Sequence, residues 1–190
     1  MRTLLLITLL GLAAACTPPG SGSTGASSAT EPPGGAAEAN NGEAPAVRYT
    51  NAREGYRVDA PGKMTANADG SASVTGPLER LQILVLHGSA ASDPAAAAVA
   101  DVAALTSGAT NFRLLSGPAV ATVGTLRVQK VVYSWTDGTS SVTGKPNNLV
   151  GVRYYIPKNA TTLAVLSYGV TASQYDPQGA DDVAMTFTWQ

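Results

Sequence analysis

The chain is poor in the residues that most chemistry requires. It has one cysteine, Cys16, and one histidine, His87. A single thiol forms no intramolecular disulfide and builds no cysteine-based metal site. A single imidazole limits any serine-type hydrolase to His87, because the nucleophile needs a positioned base. Charged residues make up only 13% of the chain, and the net charge is −1. No basic stripe is present, so nothing in the sequence draws the protein to nucleic acid or to an anionic surface. The signatures Gly-x-Ser-x-Gly and Ser-x-x-Lys are absent, and no cofactor motif appears. The sequence therefore reads as a non-enzyme without a cofactor.

Aromatics are scarce at 6%, and residues 17–46 contain none, nor any Leu, Ile or Val. A segment built only of Ala, Gly, Pro, Ser, Thr, Glu and Asn cannot bury enough apolar surface to offset chain entropy of about 1–2 kcal/mol per residue. It reads as a flexible tether whose ends lie on the order of 30 Å apart.

The one long apolar run is at the start. A short basic opening, Met1-Arg2-Thr3, precedes Leu4–Ala15. That run is shorter than the about 20 residues a membrane-spanning helix takes, and it leaves through small residues, as a signal peptide does. Leu12-Ala13-Ala14-Ala15-Cys16 resembles the lipobox of bacterial lipoproteins. The resemblance implies cleavage before Cys16, a diacylated Cys16 sulfur and an acylated new amine. It divides the chain into a signal peptide (1–15), an acylated cysteine with its tether (16–46) and a folded domain (47–190). Thr17 after the cysteine resembles lipoproteins sent to the outer membrane of two-membrane bacteria. An ordinary secretory signal cut after Ala15, leaving a free thiol, is the alternative.

From Val47 onward the pattern is that of a folded domain. Tyr56, Val58 and Ala60 alternate toward one side of a strand that ends at Pro61. Asp69-Gly70 marks a hairpin turn between short strands near 64–68 and 71–76. Leu81–His87 is nearly apolar on both faces and reads as a covered central strand. Asp93-Pro94 opens a helix with a capping side chain and a proline at the first helical position. Val99, Val102 and Leu105 should line its inner face, and Gly108 suits its exit. Strands follow at about 111–122, 125–135, 149–156 and 161–170, the last covered on both faces. Asp137-Gly138 and Pro157-Lys158-Asn159-Ala160 mark reversals, and Thr136–Asn148 reads as a long polar loop, a hint of a contact region. Asp176-Pro177 starts a second helix that runs to about Ala184, and Thr186–Trp189 ends the chain extended. The fold class is α+β: one antiparallel sheet of about six to seven strands, packed with two or more helices.

Tyr49, Gly55-Tyr56-Arg57-Val58-Asp59-Ala60-Pro61 and Ala180-Asp181-Asp182-Val183-Ala184-Met185-Thr186-Phe187-Thr188-Trp189 resemble the two ends of the PsbP-like superfamily. That group includes an extrinsic photosystem subunit and many bacterial lipoproteins. The resemblance covers 47–190 and implies a sandwich fold. It also implies a binding or assembly module rather than an enzyme. No functional residue carries over from it.

Other candidates have plainer readings. His87 reads as a structural or edge histidine. Gly144-Lys145 departs from a phosphate loop, with Thr139 in place of the first glycine and Pro146 in place of the magnesium-binding hydroxyl. Asp176, Asp181 and Asp182 lack calcium-loop spacing and suit a helix start. Asn159-Ala160-Thr161 is an idle glycosylation pattern in a turn. Tyr133, Trp135, Tyr154, Tyr155 and Tyr168 belong to strand packing.

Three functions follow in order. The first is a lipid-anchored envelope module that binds a protein partner. The second is a small-ligand carrier with a pocket between sheet and helix, and the third is a hydrolase that depends on His87.

Overall fold

The computed structural model describes residues 46–190 except 77–78 and 141–142. The expected signal peptide, Cys16 and nearly all of the tether lie outside the described residues. The strands are β1 (Val47–Asn51), β2 (Tyr56–Ala60), β3 (Thr65–Ala66), β4 (Ala72–Thr75), β5 (Glu79–His87), β6 (Arg113–Val123), β7 (Leu126–Thr139), β8 (Pro146–Asn159), β9 (Thr162–Thr171) and β10 (Thr188–Trp189). The helices are α1 (Pro94–Gly108) and α2 (Pro177–Met185).

The fold is α+β, as the pattern requires. Seven strands form one antiparallel sheet in the order β3-β4-β5-β9-β8-β7-β6. To this the structure adds a separate antiparallel sheet, β1-β2-β10, that joins the two ends of the folded region. Tyr56, Val58 and Ala60 are fully buried, as their alternation demands. Both helices begin as the sequence indicates. Asp93 accepts from the amides of Ala95 and Ala96, and Asp176 accepts from those of Gln178 and Gly179. Each caps a helix with proline in its first turn.

The large sheet has a core on each face. On one face, Leu81 and Ile83 of β5 and Val152, Tyr154 and Ile156 of β8 pack with β2, with Ala180 and Ala184 of α2 and with Phe187. On the other, Val131, Tyr133, Tyr155, Leu163 and Val165 pack with Ala98 of α1. β9 is central and buries four consecutive side chains, Leu163–Leu166, so it is covered on both faces.

Three local expectations are corrected. β5 is not covered on both sides: Leu81, Ile83 and Val85 are buried, but Gln82 is exposed and Leu84 and Leu86 are only half-buried. The α1 layer reaches this strand only near Leu86. Val99 does not face the core and is 59% exposed. The inner face of α1 runs through Ala97, Ala98, Asp101, Val102 and Leu105, the 3.6-residue stripe, whereas steps of three drift off it. Finally, Asp137-Gly138 is not a reversal. β7 passes through it with a register break between Thr136 and Thr139, and Gly138 takes φ +64°.

The helices are pinned to the sheet by polar contacts of β8. Tyr154 and Tyr155 are neighbours, so their side chains leave opposite faces. The Tyr154 hydroxyl donates to Asp181 of α2 at 2.6 Å, and Lys130 pairs with the same carboxylate at 2.6 Å. The Tyr155 hydroxyl donates to Asp101 of α1, which also pairs with Arg153. Arg153 in turn lies 5.7 Å from the centre of the Tyr133 ring. Burial, followed by the adjacent aspartate, pushes both phenols well above the ordinary tyrosine range. Burial also raises Tyr133 and Tyr175 and pushes Tyr56 up to about 12.

Two glycines let aromatics lie close to the sheet. Gly151 of β8 pairs with Tyr133 on one side and Gly169 on the other. A Cβ on Gly151 would stand 2.7 Å from Cζ of Tyr133 and 2.9 Å from Cζ3 of Trp135. Gly151→Ala is expected to destabilise the fold by about 1–3 kcal/mol, the usual cost of overpacking, read as a lowered urea midpoint; an unchanged midpoint contradicts the packing described. Asp101→Asn leaves Arg153 without its counter-charge. Both side chains keep some solvent contact, at 25% and 20% exposure. The expected loss is about 2–3 kcal/mol, below the about 3–5 kcal/mol of a fully buried broken pair. A loss under about 0.5 kcal/mol would mean the pair does not hold α1.

The raised tyrosines also set a pH dependence. Above pH about 10 the unfolded chain releases phenolic protons that the folded chain retains, so the folded state is the more protonated one and stability falls with rising pH. The urea midpoint should be insensitive to these groups below pH about 9 and should drop steeply above pH about 10. A midpoint that holds at pH 11 refutes the shifts.

Candidate functional site

The residues singled out for chemistry do not come together. His87 ends β5 with an exposed ring, and its Nε2 lies 2.9 Å from Oε2 of Glu54 in the β1–β2 turn. Its observed partner is thus a carboxylate and not a hydroxyl nucleophile. The aspartates near α2 disperse: Asp176 caps the helix, Asp181 holds Lys130 and Tyr154, and Asp182 accepts from Gln178. Among the described residues, no three His, Cys, Asp or Glu are grouped to hold a metal ion. The Asn159 side chain accepts from the amide and hydroxyl of Thr161, which closes the β8–β9 turn. Gly144 takes φ +67°, and its amide donates to the Ser140 carbonyl at 2.9 Å. Lys145 therefore follows a tight turn rather than a phosphate cradle.

The expected contact loop at Thr136–Asn148 is mostly strand. β7 extends to Thr139 and β8 begins at Pro146, which leaves 140–145 as the connection. A hairpin arm in water needs backbone pairing but no apolar side chains, so a polar run can be strand without showing a hydrophobic period. The length that marked it as a contact region is gone, since six residues or so is an ordinary connection.

The surface that does stand out is the far edge of the large sheet. β6 pairs with β7 and has no second neighbour among the described residues. Its first half is irregular, with register breaks between Leu114 and Ser116 and between Ser116 and Ala119. Pro118 lies in that stretch and offers no amide. Gly117 has φ +84°, and a Cβ there would meet the Lys130 carbonyl oxygen at 2.2 Å, so glycine is required. From Ala119 to Val123 the register is unbroken. Three large apolar side chains of β6 are exposed: Leu114, Leu115 and Val120.

Val120 opens onto a groove of about 330 Å³. Asp93, Pro94 and Ala95 from the start of α1 form one wall. Arg127, Val128 and Gln129 of β7 and Pro157 of β8 form the rest. It lies between sheet and helix, the position expected for a ligand pocket, but it is an open trough and not an enclosed chamber. A second, smaller recess of about 120 Å³ lies near Arg80, Asn147 and Thr171. Sequence reasoning missed the β6 edge because which strand lies outermost is a property of topology. The available signals were Gly117-Pro118, an edge or bulge feature, and the exposed apolar pair Leu114-Leu115.

No protein-family model matches the chain, and no curated protein matches it. Among solved structures, a protein of Bacteroides thetaiotaomicron superposes with a TM-score of 0.51 at 10% identity over 78% of this chain. The match takes in 49% of that protein, so the chain spans about half its length. A Pseudomonas aeruginosa protein of unknown function gives a TM-score of 0.45 at 11% identity, covering 76% of this chain and 97% of its own. LpqN, involved in cell envelope biogenesis of Mycobacterium tuberculosis, gives 0.37 at 15% identity, covering 75% and 76%. The first of these likenesses is a likeness of fold.

Proposed function

We propose that the protein is an exported lipoprotein of the bacterial cell envelope whose head domain binds a protein partner and performs no catalysis. The observation that carries the binding role is the undefended second half of the β6 edge beside the Val120 groove. Long open edges are normally blunted, because an unpaired strand invites another chain. Leaving one regular and apolar suits a surface meant to be covered.

The anchor reading rests on the sequence. The apolar run Leu4–Ala15 leads into Cys16 in the manner of a lipobox, and among the described residues no helix is long and apolar enough to cross a membrane. Several acyl chains on one residue anchor stably where a single chain is marginal. The segment 17–46 would then give the head reach from the membrane surface, which Thr17 suggests is the outer membrane in a two-membrane cell. The PsbP-like resemblance supports a binding or assembly role by analogy of fold. A ligand carrier is less well supported, since a carrier calls for a chamber that encloses most of its ligand.

Cys16→Ala should move the protein from the membrane pellet to the soluble fraction, and mass spectrometry of the wild-type mature N-terminus should find acyl chains on Cys16. An unmodified thiol, or a variant that stays with the membrane, removes the anchor. A photo-crosslinking residue at Val120 should give a discrete adduct in intact cells that the same residue at exposed Arg53 does not. Equal labelling at both positions, or none at Val120, removes the partner.

A further inference from the structure

The groove beside Val120 lies over β7, and two opposite charges line it without meeting. We propose that it binds a free apolar dipeptide as a zwitterion. The ammonium goes to Asp93, the carboxylate to Arg127 and the peptide bond to Gln129, with the side chains between Val120 and Pro157. This site goes beyond the protein partner at the β6 edge and does not depend on it.

Strand register builds the floor. Val120 pairs with Gln129, Gln129 pairs with Tyr155, and Arg127 lies two positions from Gln129, on the same face of β7. Pro157 lies two positions beyond Tyr155 on β8, so it borders the floor on the inner side as Val120 does on the outer. Pro94 and Ala95 of the first turn of α1 wall it from above. Its volume of about 330 Å³ is near the bottom of the about 300–1,000 Å³ range of small-ligand sites, which suits a molecule of dipeptide size. Apolar borders on two sides call for an apolar side chain toward each.

The polar groups of the groove have unspent bonding capacity. Oδ1 of Asp93 accepts both cap amides, those of Ala95 and Ala96, and Oδ2 has no partner among the described residues. Arg127 is exposed, and neither its guanidinium nor the Gln129 carboxamide has a hydrogen-bond or ion-pair partner among the described residues. Asp93 and Arg127 do not pair with each other, although Arg80 of β5 reaches Asp137 of β7 across two intervening strands. The neighbouring charges are engaged elsewhere: Asp101 holds Arg153, and Lys130 holds Asp181 on the opposite face.

Those open valences select the ligand. A molecule with one charge satisfies one side of the groove and is repelled by the other, whereas a molecule with both signs satisfies both. The Gln129 carboxamide is at once donor and acceptor, which matches the carbonyl and N–H of a peptide bond. A protein chain end brings only one of the two charges, and the backbone of an internal segment brings neither. A free dipeptide brings both charges, one peptide bond and two side chains.

The test titrates the full mature protein, with its valine and alanine methyl groups labelled for NMR, with the dipeptide Leu-Leu. Saturable shifts are expected at the methyl groups of Val120 and Ala95 and none at Val47 of β1. Acetylating the peptide's amine or amidating its carboxylate should each weaken binding about fivefold, the upper end for an exposed ion pair. Free leucine should bind more weakly than Leu-Leu. Arg127→Gln should bind Leu-Leu and its amide equally while still rejecting the acetylated form. Asp93→Asn, which keeps a capping side chain, should do the reverse, and both variants should keep the wild-type circular dichroism spectrum. Absent saturation, equal affinity for free and blocked peptides, or leucine binding as tightly as Leu-Leu overturns the proposal. So does tighter binding of a peptide blocked at both ends, which would make the occupant an internal protein segment. A Val120 adduct in cells without Leu-Leu binding removes the dipeptide and leaves the partner reading standing; Leu-Leu binding without the adduct does the opposite.

Discussion

Two consecutive tyrosines on β8 set the positions of both helices. Strand alternation sends Tyr154 and Tyr155 to opposite faces, where each hydroxyl donates to a helix aspartate. Lys130 and Arg153 complete the two clusters. The contribution is largest for α1. Its alanine-rich sequence buries only Ala98 fully, so it has little apolar area to offer at about 25 cal/mol per Å². Where such a helix lies along a sheet is poorly fixed by hydrophobic contact alone, and the Asp101 contacts supply the register.

That register has a consequence for the surface. With α1 held through Asp101, its capped start stands over the ends of β7 and β8 and walls the groove beside Val120. The groove is thus a by-product of a polar lock on one face and a narrow, alanine-built helix above it. The opposite face is closed by α2 and the small sheet, through Tyr56, Phe187 and Trp189. Tyr56 stacks on Phe187 at 5.4 Å, and Trp189 meets Phe187 edge-on at 5.1 Å. The aromatic residues at the two ends of the domain thus pack together on that face, while the other face is covered by α1.

The two outer strands of the large sheet differ in how they meet solvent. β3 is two residues long and gives another chain little to pair with. β6 is eleven residues long. Pro118 and the register breaks spoil its beginning, whereas Ala119–Val123 keeps unbroken register and contains no proline or charge.

Much of the architecture was legible in the chain itself. Asp-Pro pairs before alanine-rich or mixed stretches announced both helices, because a carboxylate cap and a proline first turn are local devices. The alternation at Tyr56–Ala60, the buried run in β9 and the Asp69-Gly70 turn were legible for the same reason. Misreadings arose where local pattern and environment part. Val99 has helical company but the wrong angle, the polar arms of the β7–β8 hairpin carry no hydrophobic period, and the outer face of β5 lacks a covering layer. What the sequence determined by itself was the set of elements and most of their buried faces, both matters of near neighbours and composition. Only the tertiary structure decided that Asp101 and Asp181 serve Tyr155 and Tyr154, and that β6 is an edge strand with Val120 beside the helix start. Those facts join residues far apart in the chain, and no local pattern encodes which distant strand becomes a neighbour.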